Sequence, residues 1–440
     1  MAAPSGVRVG VLAAIASAQN EIADFASHAS ATSEAHAALD SRHGRKGREL
    51  RLERRISPRI ASQNAAEAVH MTWYESEFGC KEGRGFAAAR GAFSVHRGDD
   101  GDVTLTAVGG NNKTYHVGAF EDPSVEELRS RVRELQAASP ADAGLETLTF
   151  SNIAGDARSL ILDPENAGAV FQVASQFNCL EMVGPGTTPE SGITQYVHDK
   201  TQGPVCAMAC PAATVFRNYF WAERGQAGGS ERQLDTARGL GEVVGNAKKN
   251  YWRMQNGYMI PARDGAMAEL GARLAAEDGL AAAAHAAVRV GVHWSTQTAT
   301  TKTWKRRAEA DGGGWAEGDE RAPHRVAQVF CSAVPVAYTR STSASAWAPV
   351  AKLVLDAAFE ATLLAAAVLA LQQQRRVPVY LSCVGGGAFG NATLWIVAAI
   401  EKACQACAAL PIDVRLVHYM HKGDKEFLEL ERRLKKRAAE

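Results

Sequence analysis

Apolar, β-branched runs alternate with long helix-compatible stretches through the last two-thirds of the chain. Thr147–Ile153, Ala169–Ser175, Val288–Ser295, Val326–Val334, Val377–Val384 and Val414–Tyr419 read as strands. Between and after them, Pro204–Phe220, Gly265–Ala287, Ala348–Gln373, Thr393–Ala409 and Lys425–Ala438 read as helices. Strands apolar on both faces, separated by helices, predict an α/β fold with a parallel or mixed sheet covered on each side. Ligands of such sheets bind at loops beyond the carboxyl ends of the strands, so the loops after Ser175 and Val384 are the first candidates.

The earlier part of the chain reads differently. Residues 1–65 are alanine-rich, then charged, and compatible with helix. Phe93–Val95, Val103–Val108 and Lys113–Val117 alternate like short strands, and Gly109-Gly110-Asn111-Asn112 is a hairpin-type connection. Ser124 followed by Glu127 has capping-box spacing and predicts a helix start. The small and polar stretch Ala137–Gly144 is the best domain boundary. It divides an amino-terminal α+β extension, residues 1–140, from a main domain, residues 141–440. Gly225–Ser230 and Ala308–Arg321 read as loops of an insert spanning about residues 225–325. No internal repeat is evident.

Composition narrows the class. The 440 residues are 46% hydrophobic and 22% charged, which suits a large packed core and argues against global disorder. Lysine plus arginine equals aspartate plus glutamate, 48 each, so no net charge draws the chain to nucleic acid or a membrane surface. The basic run from Arg42 to Arg55, interrupted by Glu49 and Glu53, reads as a solvated face. The 8 cysteines lack framework spacing and read as reduced thiols of an intracellular protein, cytoplasmic or nuclear. Cys404 and Cys407 fall in the apolar stretch Ile396–Leu410 with no second pair at zinc-finger spacing, so they read as core thiols and no metal site is expected. Arg8 and the apolar Val9–Ala16 are shaped like a short signal peptide, but Glu21 and Asp24 follow too soon. Val354–Leu371 is the most apolar segment. Its alanines, Asp356 and Glu360 suit a buried helix better than a bilayer span.

Two segments carry candidate chemistry. Cys383-Val384-Gly385-Gly386-Gly387-Ala388-Phe389-Gly390-Asn391 lies between a buried-type strand and a helix starting near Thr393. Consecutive glycines let backbone N–H groups approach a ligand, and a helix N-terminus beside them makes a phosphate cradle. The segment lacks both the Lys-Ser/Thr of a P-loop and the spacing of a dinucleotide fingerprint. The second segment opens with Gly155-Asp156-Ala157-Arg158 and continues into Val170–Ser175, then Gln176-Phe177-Asn178. An asparagine at a strand's carboxyl end can bond a sugar hydroxyl without repelling phosphate, although Asn is also a common turn residue.

In this order and context the pieces resemble the macrodomain family. Gly155-Asp156 stands where that family has Gly-Asp-Ile/Val-Thr. Asn178 stands at the last residue of its Asn-Ala-Ala-Asn, with Ser175-Gln176-Phe177 replacing the rest. Val329–Pro335 is similar to its strand ending His-Thr-Val-Gly-Pro, and Gly385–Gly390 to its second glycine loop. The resemblance covers about residue 146 to the end, and Gly-Ala-Phe-Gly also occurs in the poly(ADP-ribose) glycohydrolase branch. It implies a three-layer α/β/α macrodomain-like fold that binds ADP-ribose or an ADP-ribosylated macromolecule without a cofactor. Membrane and nucleic acid are not expected partners.

The resemblance also implies roles. Asp156 would accept a hydrogen bond from the adenine amino group, and Asn178 would hold the distal ribose. Gly385, Gly386, Gly387 and Ala388 would cradle the diphosphate, with Phe389 against the distal ribose and Gly390 also counted among the ligand-binding residues. The family's first glycine run is missing. Thr201, Gln202 and Gly203, just before Pro204, become the candidates for the second phosphate wall. In hydrolysis of a ribosyl linkage a placed carboxylate can move the proton, and Glu181, Glu190 and Asp199 lie in the right region, while some macrodomains act without a protein base, through Asn, phosphate and ordered water. Asn178 and Glu190 are carried forward as the catalytic candidates. The readings left open are a hydrolase, a non-catalytic reader, and a degenerate fold with a structural glycine loop. His293, His418, Arg217, Trp252, Trp294 and Trp395 read as structural groups.

Overall fold

Thr72 opens the computed structural model with a capping box. Its hydroxyl accepts from the Glu75 amide at 3.2 Å while the Glu75 carboxylate accepts from the Thr72 amide at 2.9 Å. The structure describes residues 72–439 apart from 100, 139–146, 223–224, 230–231, 301–303, 307–314, 318–321 and 340. The readings made above for residues 1–71, including the basic run, lie outside the described residues. After two short helices, β1 (Ser94–Arg97), β2 (Val103–Thr106) and β3 (Thr114–His116) form an antiparallel three-stranded sheet. Its apolar face gathers Leu105 with Tyr74, Phe78, Phe93 and Tyr115, and Phe78 meets the other three rings edge-on.

The central sheet is built from β4 (Ala119–Glu121), β5 (Thr149–Ala154), β6 (Val170–Ala174), β9 (Gly291–Gln297), β12 (Arg325–Cys331), β13 (Val377–Leu381) and β14 (Ile412–His418). β7 (Trp252–Gln255) and β8 (Tyr258–Pro261) form a separate hairpin, as do the backbones of β10 (Trp304–Arg306) and β11 (Trp315–Glu317). The central order is β4-β9-β12-β6-β13-β14-β5. The five strands from β12 to β5 run parallel, and β9 and β4 add antiparallel pairs at one edge.

Alternation along β6 and β12 explains the three layers. Val170, Ala327, Val329 and Cys331 face a core shared with Ala344–Gln373, while Phe171, Val173, Val326 and Phe330 face one shared with Cys206, Ala209 and Ala213. The first layer comprises the helices Val125–Ala138, Ala266–Ala276, Leu280–Ala287, Ala344–Gln373 and Thr393–Ala406. The second holds Gln202–Ala209 and Pro211–Val215. This is the mixed-sheet α/β/α arrangement expected from the sequence.

The long helix Ala344–Gln373 is long and apolar enough to cross a membrane, yet 89% of its apolar window is buried inside the protein. Its internal Glu360 is explained by Arg129, which makes a two-pronged ion pair with it at 2.6 and 2.9 Å. Asp356 is paired with Lys402 at 2.6 Å.

Two sequence readings are corrected. The boundary at residue 140 does not separate two units, because β4 is an edge strand of the central sheet and Val125–Ala138 packs on Ala344–Gln373. The capping box Ser124–Glu127 that starts this helix is present, with bonds of 2.7 and 3.2 Å. The span 225–325 is not all insert, since β9 pairs with β12 inside the sheet and Ala266–Ala276 lies on the long helix. Gly225–Ser230 carries Gln226, which is fully buried and bonded to the Asn178 and Arg217 carbonyls.

Candidate functional site

A cleft of about 950 Å3 opens at the carboxyl ends of the parallel strands. Its cause is a parting of two central neighbours. β6 and β13 pair at Val170–Val379 and Phe171–Tyr380 and then diverge. The backbone of β6 left without a strand partner is taken up by side chains. The Gln202 amide accepts from the Ala174 N–H at 2.8 Å and donates to the Gln172 carbonyl at 2.7 Å. Gln172 in turn accepts from the Ser382 N–H at 3.2 Å and donates to the Thr362 hydroxyl at 3.0 Å. Two glutamines thus hold open a sheet whose backbone groups would otherwise be unpaired.

One wall is the loop after β13. Gly385 has φ +80°, and a Cβ there would come within 2.6 Å of the Ala333 Cβ. The Asn391 side-chain amide bonds the Val334 and Gly385 carbonyls at 3.0 and 3.2 Å and fixes the loop's base. The amides of Gly387, Ala388 and Phe389 make no hydrogen bond among the described residues. Gly386, Gly387 and Ala388 are exposed and line the cleft, and the space around the Gly387 Cα is open.

The other wall begins at the helix Gln202–Ala209. Asp199 accepts from the Thr201 N–H at 2.8 Å, no side chain caps the helix beyond that, and Pro204 has no N–H. The Gln202 and Gly203 amides are therefore the orphan donors of this terminus. Gly203 is required for packing as well. A Cβ there would lie 1.9 Å from the Ala174 carbonyl oxygen and 3.1 Å from the Glu181 Cγ.

Glu181 lines the cleft but is only 1% exposed. One carboxylate oxygen lies 3.5 Å from the guanidinium of the fully buried Arg217, and the other has no hydrogen-bond partner among the described residues. Burial pushes its carboxyl up to about 7, against the opposing pull of Arg217. Nearby, Tyr258, Tyr338 and Phe389 form a triangle with ring centroids 5.4 to 5.5 Å apart. At the far end, Asp156 caps a short helix by accepting from the Ser159 N–H at 2.8 Å. Arg158 lines the cleft beside it, with its Nε buried and unpartnered among the described residues.

Of the residues expected from the sequence, Asp156, Thr201, Gln202, Gly203, Gly385, Gly386, Gly387, Ala388 and Phe389 all line this cleft. The Gln202 side chain is occupied in mending β6, so it has only its backbone to offer. Gly390 lies outside the lining. Its φ of +70° and a Cβ position 2.9 Å from the Ala337 Cβ give it a conformational role.

Both catalytic candidates sit elsewhere. Asn178 is fully buried, with its side chain bonded to Gln233 and to the Leu180 N–H, and Gly257 of the β7–β8 hairpin packs directly on it. The turn at the end of β6 consumes the asparagine, and a turn and a sugar contact leave the same mark in a sequence. Glu190 is exposed and accepts from the Gly228 N–H at 2.6 Å. Among the carboxylates that line the cleft, the buried one is Glu181. A signal was available, since Glu181 stands alone among Cys179, Leu180, Met182 and Val183, whereas Glu190 follows Pro189 in a polar turn.

Comparison with known proteins gives no matching family model and no matching curated protein. Among solved structures, the chain is similar to poly(ADP-ribose) glycohydrolase from Deinococcus radiodurans in complex with ADP-ribose. That likeness has a TM-score of 0.36 and 10% identity, over 72% of this chain and 94% of the other. The glycohydrolase from Thermomonospora curvata bound to the inhibitor ADP-HPD gives a TM-score of 0.34 and 11% identity, over 78% and 93% of the two chains. Likenesses this distant assign neither a ligand nor an activity.

Proposed function

We propose that the cleft binds ADP-ribose, free or attached to a macromolecule, and hydrolyses the ribosyl linkage with Glu181 as the proton-transferring group. The observation that carries this reading is a buried carboxylate held near neutrality in the wall of a cleft that offers two sets of unengaged backbone amides. Amides at a glycine loop and at a helix terminus suit a diphosphate, which needs donors without bulk. The cleft's volume lies within the range of about 300–1,000 Å3 usual for small-molecule sites. The aromatic triangle offers apolar faces to a ribose, and Asp156 offers an acceptor to an exocyclic amine.

In this reading the Glu181 carboxylate takes a proton from a water that attacks the anomeric carbon of the distal ribose. The C–O or C–N bond to the acceptor breaks, the departing group gains a proton, and ADP-ribose is released. The test is incubation of an ADP-ribosylated peptide with the protein between pH 5 and 9, with released ADP-ribose quantified. Turnover above the uncatalysed rate is expected. Tight ADP-ribose binding with no turnover of any linkage would reduce the activity to that of a reader.

Arg158 gives a separate check on the adenosine end. Arg158→Met is expected to weaken ADP-ribose binding about fivefold or more, because a charged donor in the lining is lost. The thermal midpoint should hold or rise, since a buried Nε without a partner is removed. Unchanged affinity by calorimetric titration would take Arg158 out of the site.

A further inference from the structure

The segment from Glu181 to Asp199 walls the cleft through Glu181, Met182, Val183, Val197 and Asp199. We propose that Glu82, which lies outside the cleft lining in the amino-terminal part of the fold, is a positioning residue that sets this wall for the ligand. The proposal rests on the ADP-ribose reading of the cleft. The Glu82 carboxylate accepts four hydrogen bonds. Two come from the Ile193 and Thr194 amides at 2.8 and 2.9 Å, one from the Thr194 hydroxyl at 2.5 Å and one from the Tyr219 hydroxyl at 2.5 Å. Trp73 adds a bond from its indole N–H to the Thr194 carbonyl at 3.2 Å. Gly192, at φ +84°, lets the carboxylate come this close, because a Cβ there would sit 2.6 Å from the Glu82 Oε2.

Tyr219 ties the clamp to Glu181. It belongs to a π-helical turn, Phe216–Phe220, closed by the Trp221 N–H on the Phe216 carbonyl at 2.8 Å. Three successive side chains of that turn serve one wall. Arg217 reaches the Cys179 carbonyl at 3.0 Å and the Glu181 carboxylate at 3.5 Å, Asn218 donates to the Pro189 carbonyl at 3.1 Å, and Tyr219 donates to Glu82. Such turns recur at functional sites, where they re-aim side chains. Arg217, Asn218 and Glu82 together fix the beginning and middle of the segment whose end supplies Asp199, the acceptor for the Thr201 N–H, to the helix terminus. A clamp serving stability alone would leave ligand affinity untouched, which gives the distinction.

The experiment compares the full wild-type chain with Glu82→Gln and Tyr219→Phe. Amide hydrogen exchange at Ile193 and Thr194 and calorimetric affinity for ADP-ribose are the readouts. Glutamine keeps the size but presents an N–H to donors, so exchange at these amides should accelerate about tenfold or more and affinity should fall about fivefold or more. Tyr219→Phe, which removes one bond, should move both readouts the same way by less. Accelerated exchange with affinity within about twofold of wild type would overturn the positioning role, and so would unchanged exchange. A wild type that fails to bind ADP-ribose would instead overturn the assignment of the cleft, while exchange at Ile193 would still decide whether Glu82 holds the wall.

Discussion

Glu181→Gln is expected to lower turnover of an ADP-ribosylated peptide by about 100-fold or more while ADP-ribose affinity stays within about threefold. Glutamine preserves shape and one acceptor for Arg217 but cannot take a proton. Wild-type turnover should rise with pH through about 7, where burial places the Glu181 carboxyl, and level off above it. The variant's residual rate should lack that limb. A profile falling through the same pH would give Glu181 the part of the acid, and a flat one would contradict a role in proton transfer. Stability carries the opposite sign. A carboxyl raised from 4.5 to about 7 by folding binds protons more tightly in the folded state. Its contribution is therefore present below about pH 4.5 and is lost as pH rises through 7. Denaturant titrations across that window should show wild-type stability declining with pH, and Glu181→Gln should remove that part of the slope.

Gly203→Ala should cost about 2–3 kcal/mol of stability, measured as a lower denaturant midpoint at unchanged slope. Alanine usually favours a helix over glycine by about 1 kcal/mol, so the expected sign is contrary to propensity. The reason is contact with a backbone that cannot yield. The added Cβ would meet the Ala174 carbonyl at 1.9 Å, and Ala174 is fixed by pairing with β12 and by the Gln202 side chain. Relief requires the helix terminus to lift from β6, carrying with it the Gln202 and Gly203 amides. Ligand affinity should therefore fall with stability. A neutral or stabilising effect would mean that the helix terminus is free to move and that the cleft is not held by this contact.

Much of this architecture was legible in the sequence because the physics behind it is local. β6 and β12 are apolar at successive positions, which only a sheet covered on both faces explains, and Ser124 with Glu127 announces the helix that follows. The glycine loop was legible for the same reason, since its conformation is set within a few residues. What was not legible depends on partners distant in the chain. That Glu360 belongs in an apolar helix requires Arg129, more than 200 residues earlier. That residues 119–138 belong to the main sheet requires β9 to arrive beside β4. The exchange of Glu190 for Glu181 has a related cause. Both are carboxylates in one loop, and burial under Gly203, together with Arg217, sets one of them apart.

The central claim is that the amides of the 385–389 loop receive a diphosphate. Calorimetric titration of ADP-ribose into the wild type and into Gly387→Glu tests it most directly. Gly387 has open space and no left-handed backbone, so glutamate can be accommodated without loss of fold, and it brings bulk and negative charge to the proposed cradle. The account predicts saturable binding to the wild type and a loss of at least about 100-fold in the variant, with circular dichroism unchanged. Equal binding by the folded variant would contradict the cradle, and no binding of ADP-ribose by the wild type would contradict the ligand itself.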